Sequence, residues 1–280
     1  MKTRPAPDTS NSDYAIGLAR AFAGALLFAL PLLMTMEMWA LGFYTHPARL
    51  LLFLFVNFIV LVGLSRFGGF ERTATLFEDL LDALAAVGIA ILASAAILAL
   101  FGIVTPEMRL DEIVGKVAVQ SVPCSFGAML ARKQLSGGES ADDAIQAERT
   151  AGYGGQLFLM LAGALFLAFN VAPTEEMILI GFMMSPFQSL LLVLLSILLL
   201  DAFVYGVGFA GQRERPEDVG RASLFLRFTL VGYGIALLVS IYVLWTFGRA
   251  DGGDIGQVAM TVSVLAFPAA IGAAIARLVV

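Results

Sequence analysis

The sequence predicts an all-α fold: a polytopic bundle of about eight transmembrane helices arranged as two parallel four-helix repeats. Three observations lead there. Of the 280 residues, 59% are hydrophobic and only 14% charged, with a mean hydropathy of +0.89, whereas a soluble domain carries roughly a quarter of charged residues. The apolar runs are continuous and do not alternate, which argues against a closed β-barrel. At about 20 residues per span they also leave no room for a soluble catalytic domain. The third observation is a duplication: Gly24 to Phe43, GALLFALPLLMTMEMWALGF, returns 139 residues later as Gly163 to Phe182, GALFLAFNVAPTEEMILIGF.

Residues 1–16 are polar and rich in Pro, Ser and Asp, and read as a cytoplasmic tail without a cleavable signal, because the apolar run that follows is too long for one. The first span covers about 17–43, with a tilt or kink at Pro31. The second covers about 48–64, with Asn57 as its polar exception, and the third about 80–104, preceded by Glu78 and Asp79. The fourth, about 113–131, is unusually polar: Gln120, Ser121, Cys124 and Ser125 flank Pro123. That polarity marks a helix shielded from lipid, either lining a pathway or packed among other helices. Residues 17–134 thus form the first repeat and 135–153, with SGGES, the linker. The second repeat, 154–280, holds a span from 154 to 183 interrupted at Asn170 to Pro173, and further spans at about 187–210, 222–247 and 257–280.

The copies match beyond their first span. Phe101-Gly102 corresponds to Phe247-Gly248, and Gly88-Ile89-Ala90 to Gly234-Ile235-Ala236. The order Pro123, Gly127, Ala128, Ala131, Arg132 corresponds to Pro268, Gly272, Ala273, Ala276, Arg277. Four spans per repeat bring each copy back to the side it started from, so the repeats are parallel. With both termini inside, the outer side holds Arg49, Arg109, Lys116 and Arg249, and the other 13 of the 17 basic residues lie inside. This agrees with the positive-inside rule and predicts a bacterial inner-membrane protein with cytoplasmic termini.

The chemistry centres on Thr-x-Glu: Thr35 and Glu37 in the first copy, Thr174 and Glu176 in the second, with Glu175 beside the latter. An acid inside an apolar run costs several kcal/mol unless paired or neutralised. One reading puts these acids at the outer headgroup layer, near the interfacial Trp39. The other has Glu37 and Glu176 face each other across the axis between the copies and bind a cation or carry protons, with Thr35 and Thr174 adding oxygen ligands. Oxygen ligands suit protons, alkali ions or hard divalent ions. Pro31 and Pro173, six and three residues before the glutamates, free backbone carbonyls nearby. Asp201 stands opposite Val62 of the first copy, with Tyr205 or Arg227 as its expected partner, and is either a structural ion pair or an inner pathway step. Asn57, Gln120, Asn170 and Tyr233 fit interhelical hydrogen bonding or a pathway lining. Glu78, Asp79 and Asp82 suit a helix N-terminus or an acidic inner mouth.

A single Cys124 and a single His46 exclude an intrachain disulfide and a histidine metal cluster. The net charge of -5 and the absence of a basic domain argue against nucleic acid as a partner. Hydrolase and nucleotide-binding motifs are absent, and no cofactor or enzymatic activity is expected. The stretch NVAPTEEMILIGF with GALFLAF before it, together with the eight-span layout, resembles a family of bacterial integral membrane proteins defined by sequence and lacking an assigned activity. The resemblance implies an inner-membrane protein and carries over no substrate or site residue. The residues themselves suggest a cation or proton channel or carrier near the interface of the first and fifth spans. The alternative is a membrane-embedded sensor or structural subunit. Partners are then the bilayer, a small inorganic cation or proton, and a second copy if the protein is a homo-oligomer.

Overall fold

The computed structural model describes residues 11–67, 75–135, 152–203 and 221–278. Among the described residues, ten helical elements follow one another: α1 Asn11–Leu33, α2 Met36–Tyr44, α3 Pro47–Phe67, α4 Leu76–Leu100, α5 Leu110–Leu135, α6 Tyr153–Val171, α7 Glu175–Met183, α8 Pro186–Asp201, α9 and α10 Ile255–Leu278. The element α9 starts at Arg221–Leu224, passes through a π-helical stretch Phe225–Leu230, and ends as Val231–Thr246. Tyr205, residues 1–10 of the expected tail and most of the expected linker lie outside the described residues.

Among the described residues, seven helices are long and apolar enough to cross a membrane, and α7 with α8, bent by 120°, makes an eighth if the pair is one span. The chain is therefore an all-α polytopic bundle of seven to eight apolar spans. Two helices are hubs. Helix α5 packs against α1, α2, α3 and α4, and α10 against α6, α7, α8 and α9. Two thirds of the apolar window of α5 is buried, against one third for α1, α3 and α4. This explains the polarity of α5: Gln120, Ser121, Cys124 and Ser125 are buried among other helices, where lipid does not meet them.

Small residues set these contacts, because without a hydrophobic drive between helices the backbones must come close to gain dispersion and hydrogen bonds. A Cβ at Gly24 would lie 2.5 Å from the Gly127 carbonyl, and one at Gly163 would lie 2.3 Å from the Gly272 carbonyl. Further along, Gly42 meets the backbone of Gly115 and Lys116, and Gly181 meets Thr261. The order of these contacts shows that α1 and α2 together run antiparallel along α5, and α6 and α7 along α10. Both α4 and α9 end in the same way. Gly102 and Gly248 take a left-handed φ of 71°, and the amides of Ile103 and Arg249 return to the carbonyls of Leu98 and Leu244, the glycine-terminated helix end expected from Phe-Gly.

The two sets of helices meet through α3, α5, α6 and α9, and the seam is aromatic. Phe28 and Phe126 stack edge-on or tilted against Phe166, Phe126 and Phe53 against Phe169, and Phe53 against Phe247, with centroids 5.2–6.3 Å apart.

Candidate functional site

The expected first span does not run unbroken to Phe43. The helix passes through Pro31 and stops two residues later at Leu33, and Thr35 turns extended (φ -98°, ψ 116°) before α2 begins. The carbonyls of Leu30, Pro31, Leu32 and Leu33 are each taken. Leu30 accepts from the Met34 amide and Leu32 from the Thr35 amide, both at 3.1 Å. The Thr35 hydroxyl donates to Pro31 (2.6 Å), the Trp39 indole N–H to Leu33 (2.8 Å) and the Gln120 amide to Leu32 (2.9 Å). Thr35, Trp39 and Gln120 therefore supply donors to three carbonyls at the break.

The second break follows the same plan with other donors. Helix α6 ends at Val171, and Thr174 is extended (φ -74°, ψ 146°) before α7. The Thr174 hydroxyl donates to Val171 (2.9 Å) and the Asn170 side-chain amide donates one turn back to Phe166 (2.6 Å). The Pro173 carbonyl accepts from Arg249 Nη2 at 2.8 Å. Arg249 is the residue that sequence reading missed. Its signal was the position that the expected duplication pairs with it, Ile103: a cation stands where the paired position is apolar, near the stretch that carries two acids. The main chain after Gly248 fixes Arg249, whose N–H bonds to Leu244 (2.8 Å).

Each break opens a nine-residue helix whose first turn is acidic, with Glu37 in α2 and Glu175 and Glu176 in α7. Negative charge there opposes the partial positive charge of the helix N-terminus. Glu37 is half-buried; Glu175 and Glu176 are exposed on the protein surface. Among the described residues none of the three carboxylates has a hydrogen-bond or ion-pair partner. Glu37 lies between the Leu32 to Gln120 contact and the Gly42 to Lys116 contact. That level is roughly 9–15 Å along α5 from its first residue at 1.5 Å per residue, so the acid is beside the length of the hub and not beyond its end.

Glu37 and Glu176 stand on helices that pack against different hubs. Helix α2 packs on α5 and α7 on α10, and the contact between the first and fifth spans is the Phe28 to Phe166 ring pair. Aromatic rings stand at the interface of the two sets, near which a pathway was expected. Asp201 accepts from the Thr229 hydroxyl (2.9 Å) on the π-helical stretch, while Arg227 is exposed on that stretch. Ser65 of α3 makes the corresponding bond to Asp82 of α4 (3.3 Å), so each set ties its second span to its third through a carboxylate and a hydroxyl. Buried Asn57 donates to Ser125 on α5 (3.1 Å). No group of three or more His, Cys, Asp or Glu that could hold a metal occurs among the described residues.

A protein-family profile described as "Putative integral membrane protein (DUF2391)" matches residues 17–280. No curated protein and no solved structure matches the chain.

Proposed function

The chain belongs to the DUF2391 family of integral membrane proteins, whose description carries no activity, and from that premise we propose that it transports a small inorganic cation or a proton. One observation carries this reading: Glu37, Glu175 and Glu176 stand in the first turns of α2 and α7, the nine-residue helices that follow the membrane-length α1 and α6 after short breaks, without a hydrogen-bond or ion-pair partner among the described residues. A carboxylate left unpaired against hydrocarbon is costly, and a bound cation or proton removes that cost. The acids cancel the positive ends of their own helices, which disfavours anions. The lone pairs of Thr35 and Thr174 are the added oxygen ligands. Asp201 forms a later step toward the inner side, with Tyr205 the partner expected from the sequence; Asn57 and Gln120 tie neighbouring helices together, and Asn170 bonds within the end of α6.

The same reading includes two parallel four-span repeats, 17–134 and 154–280, in a bacterial inner membrane with both termini cytoplasmic and no enzymatic step. Matched helix breaks, matched glycine approaches and the paired left-handed glycines support the repeats. The second reading, a sensor or structural subunit, is favoured by the sealing of the break carbonyls with the protein's own donors and by the aromatic seam.

Reconstituted liposomes separate the two. Transport predicts saturable, selective flux of one species among H⁺, Na⁺, K⁺ and divalent ions, abolished by Glu37→Gln or Glu176→Gln with melting unchanged. Absence of such flux in the parent rules the proposal out, and lowered melting of the glutamine variants in a flux-free protein supports the structural role.

A further inference from the structure

We propose that the break between α1 and α2 holds one internal water molecule, bound by the side-chain oxygen of Gln120 and the first amides of α2. The site is built from two sides. Gln120 of α5 is fully buried, and its side-chain nitrogen donates to the Leu32 carbonyl at 2.9 Å. A carbonyl only accepts, so the nitrogen faces Leu32 and the Oε1 oxygen faces elsewhere. That oxygen is buried and has no hydrogen-bond partner. Buried amide oxygens rarely stay so unless a water or an ion completes them.

On the other side, α2 begins uncapped. Thr35 stands at its N-cap, but the Thr35 hydroxyl turns back to the Pro31 carbonyl (2.6 Å) and makes no cap bond. The Met38 amide returns to the Thr35 carbonyl (3.1 Å), whereas the Met36 and Glu37 amides have no partner among the described residues. Such first-turn donors need one wherever bulk water does not reach them. The two sides meet at one atom: the Leu32 carbonyl accepts from Gln120 and also from the amide of Thr35 (3.1 Å), the residue directly before Met36. An unpartnered acceptor and two unpartnered donors thus belong to the same turn. This mixture selects the ligand. An anion would satisfy the amides and leave the Gln120 oxygen bare, with the Glu37 carboxylate repelling it. A metal ion would satisfy the oxygen and leave the amides bare. Water donates to the oxygen and accepts from the amides, within the roughly three hydrogen bonds that an internal water makes. The position that the expected duplication pairs with Gln120 is Leu265, which is also fully buried and offers no polar side-chain atom. The inference rests on the geometry of the break and is independent of the transport reading.

The test is X-ray radiolysis of the full chain in phospholipid vesicles, followed by mass spectrometry of oxidised methionines. Radiolysis turns a bound water into a hydroxyl radical that oxidises the side chains next to it, and radicals made in bulk water do not reach a buried methionine. Met38 in the first turn of α2 is fully buried, as are Met129 of α5 and Met160 of α6. Met38 is expected to be oxidised severalfold more than Met129 and Met160, and Gln120→Leu, which copies Leu265, is expected to bring it down to their level. Met38 oxidation no higher than that of the other two overturns the proposal, and so does a Met38 signal that Gln120→Leu does not lower. If Gln120→Leu fails to fold, the three methionines of the parent decide alone.

Discussion

Single glycines decide how closely the helices approach, and neighbouring glycines differ in consequence. A Cβ on Gly115 would come within 1.9 Å of the Gly42 carbonyl oxygen, a backbone atom that cannot move aside, whereas one on Gly88 would meet nothing within 4 Å. Gly115→Ala is therefore expected to lower stability by about 1–3 kcal/mol through overpacking. Gly88→Ala, inside α4, is expected to gain up to about 1 kcal/mol from the helix preference of alanine. Thermal unfolding in detergent checks both, and equal shifts would contradict the packing shown here. At this scale the sequence told part of the story. Gly24 and Gly163 meet the backbone of a facing helix, but Gly17 and Gly154, which look the same on paper, have no atom within 4 Å of where a Cβ would stand. The difference lies in what stands opposite, which belongs to another helix.

Helical elements here are defined as much by their interruptions as by their lengths. The second break was legible because Asn170, Pro173 and two glutamates fall together. The first was not, because Pro31 is the visible helix breaker and yet lies inside α1. The chain leaves the helix at Thr35, where Trp39 and Gln120 supply the donors. The π-helical stretch of α9 is likewise invisible in the residue types FLRFTL. It carries Thr229, which holds Asp201. Thr229→Val leaves that carboxylate without its donor and is expected to cost about 1–3 kcal/mol. Asp201→Asn keeps an acceptor oxygen for the hydroxyl and should cost less. Chemical or thermal unfolding of the two variants side by side tests this order, which reverses if the acid serves only to repel a neighbour.

Across the whole molecule, one contact ties the two hubs' helix sets at the side where α3 begins. Arg49 of α3 donates to Asp251 through both terminal nitrogens (2.6 and 3.1 Å), to the Trp245 carbonyl (2.9 Å), and lies 4.8 Å from the centre of the Trp245 ring. The side-chain hydrogen bond from Arg49 holds the Asp251 carboxyl below its ordinary value of 3.8, helped by charge attraction and opposed by desolvation. A lowered folded-state value means that the contribution is fully present above the unfolded value and fades as pH falls through the folded one. The melting difference between the parent and Asp251→Asn is therefore expected to be constant from neutral pH down to the ordinary carboxylate range, and to vanish in stronger acid. A difference that already changes near neutrality would place the titrating group elsewhere.

The sequence by itself determined the fold class, the approximate spans and the acidic Thr-x-Glu motif at both breaks, because hydrophobicity, length and residue type are local quantities that a bilayer reads directly. Only the tertiary structure decided that α5 and α10 are the hubs, that phenylalanines fill the seam, and that Glu37 and Glu176 belong to different hubs. It also decided which side chains supply donors at the breaks. Gln120 reaches Leu32 across 88 residues, Arg249 reaches Pro173 across 76, and Arg49 reaches Asp251 across 202. Such pairings follow from which helix faces come together, and that choice is made by packing among near-equivalent apolar surfaces.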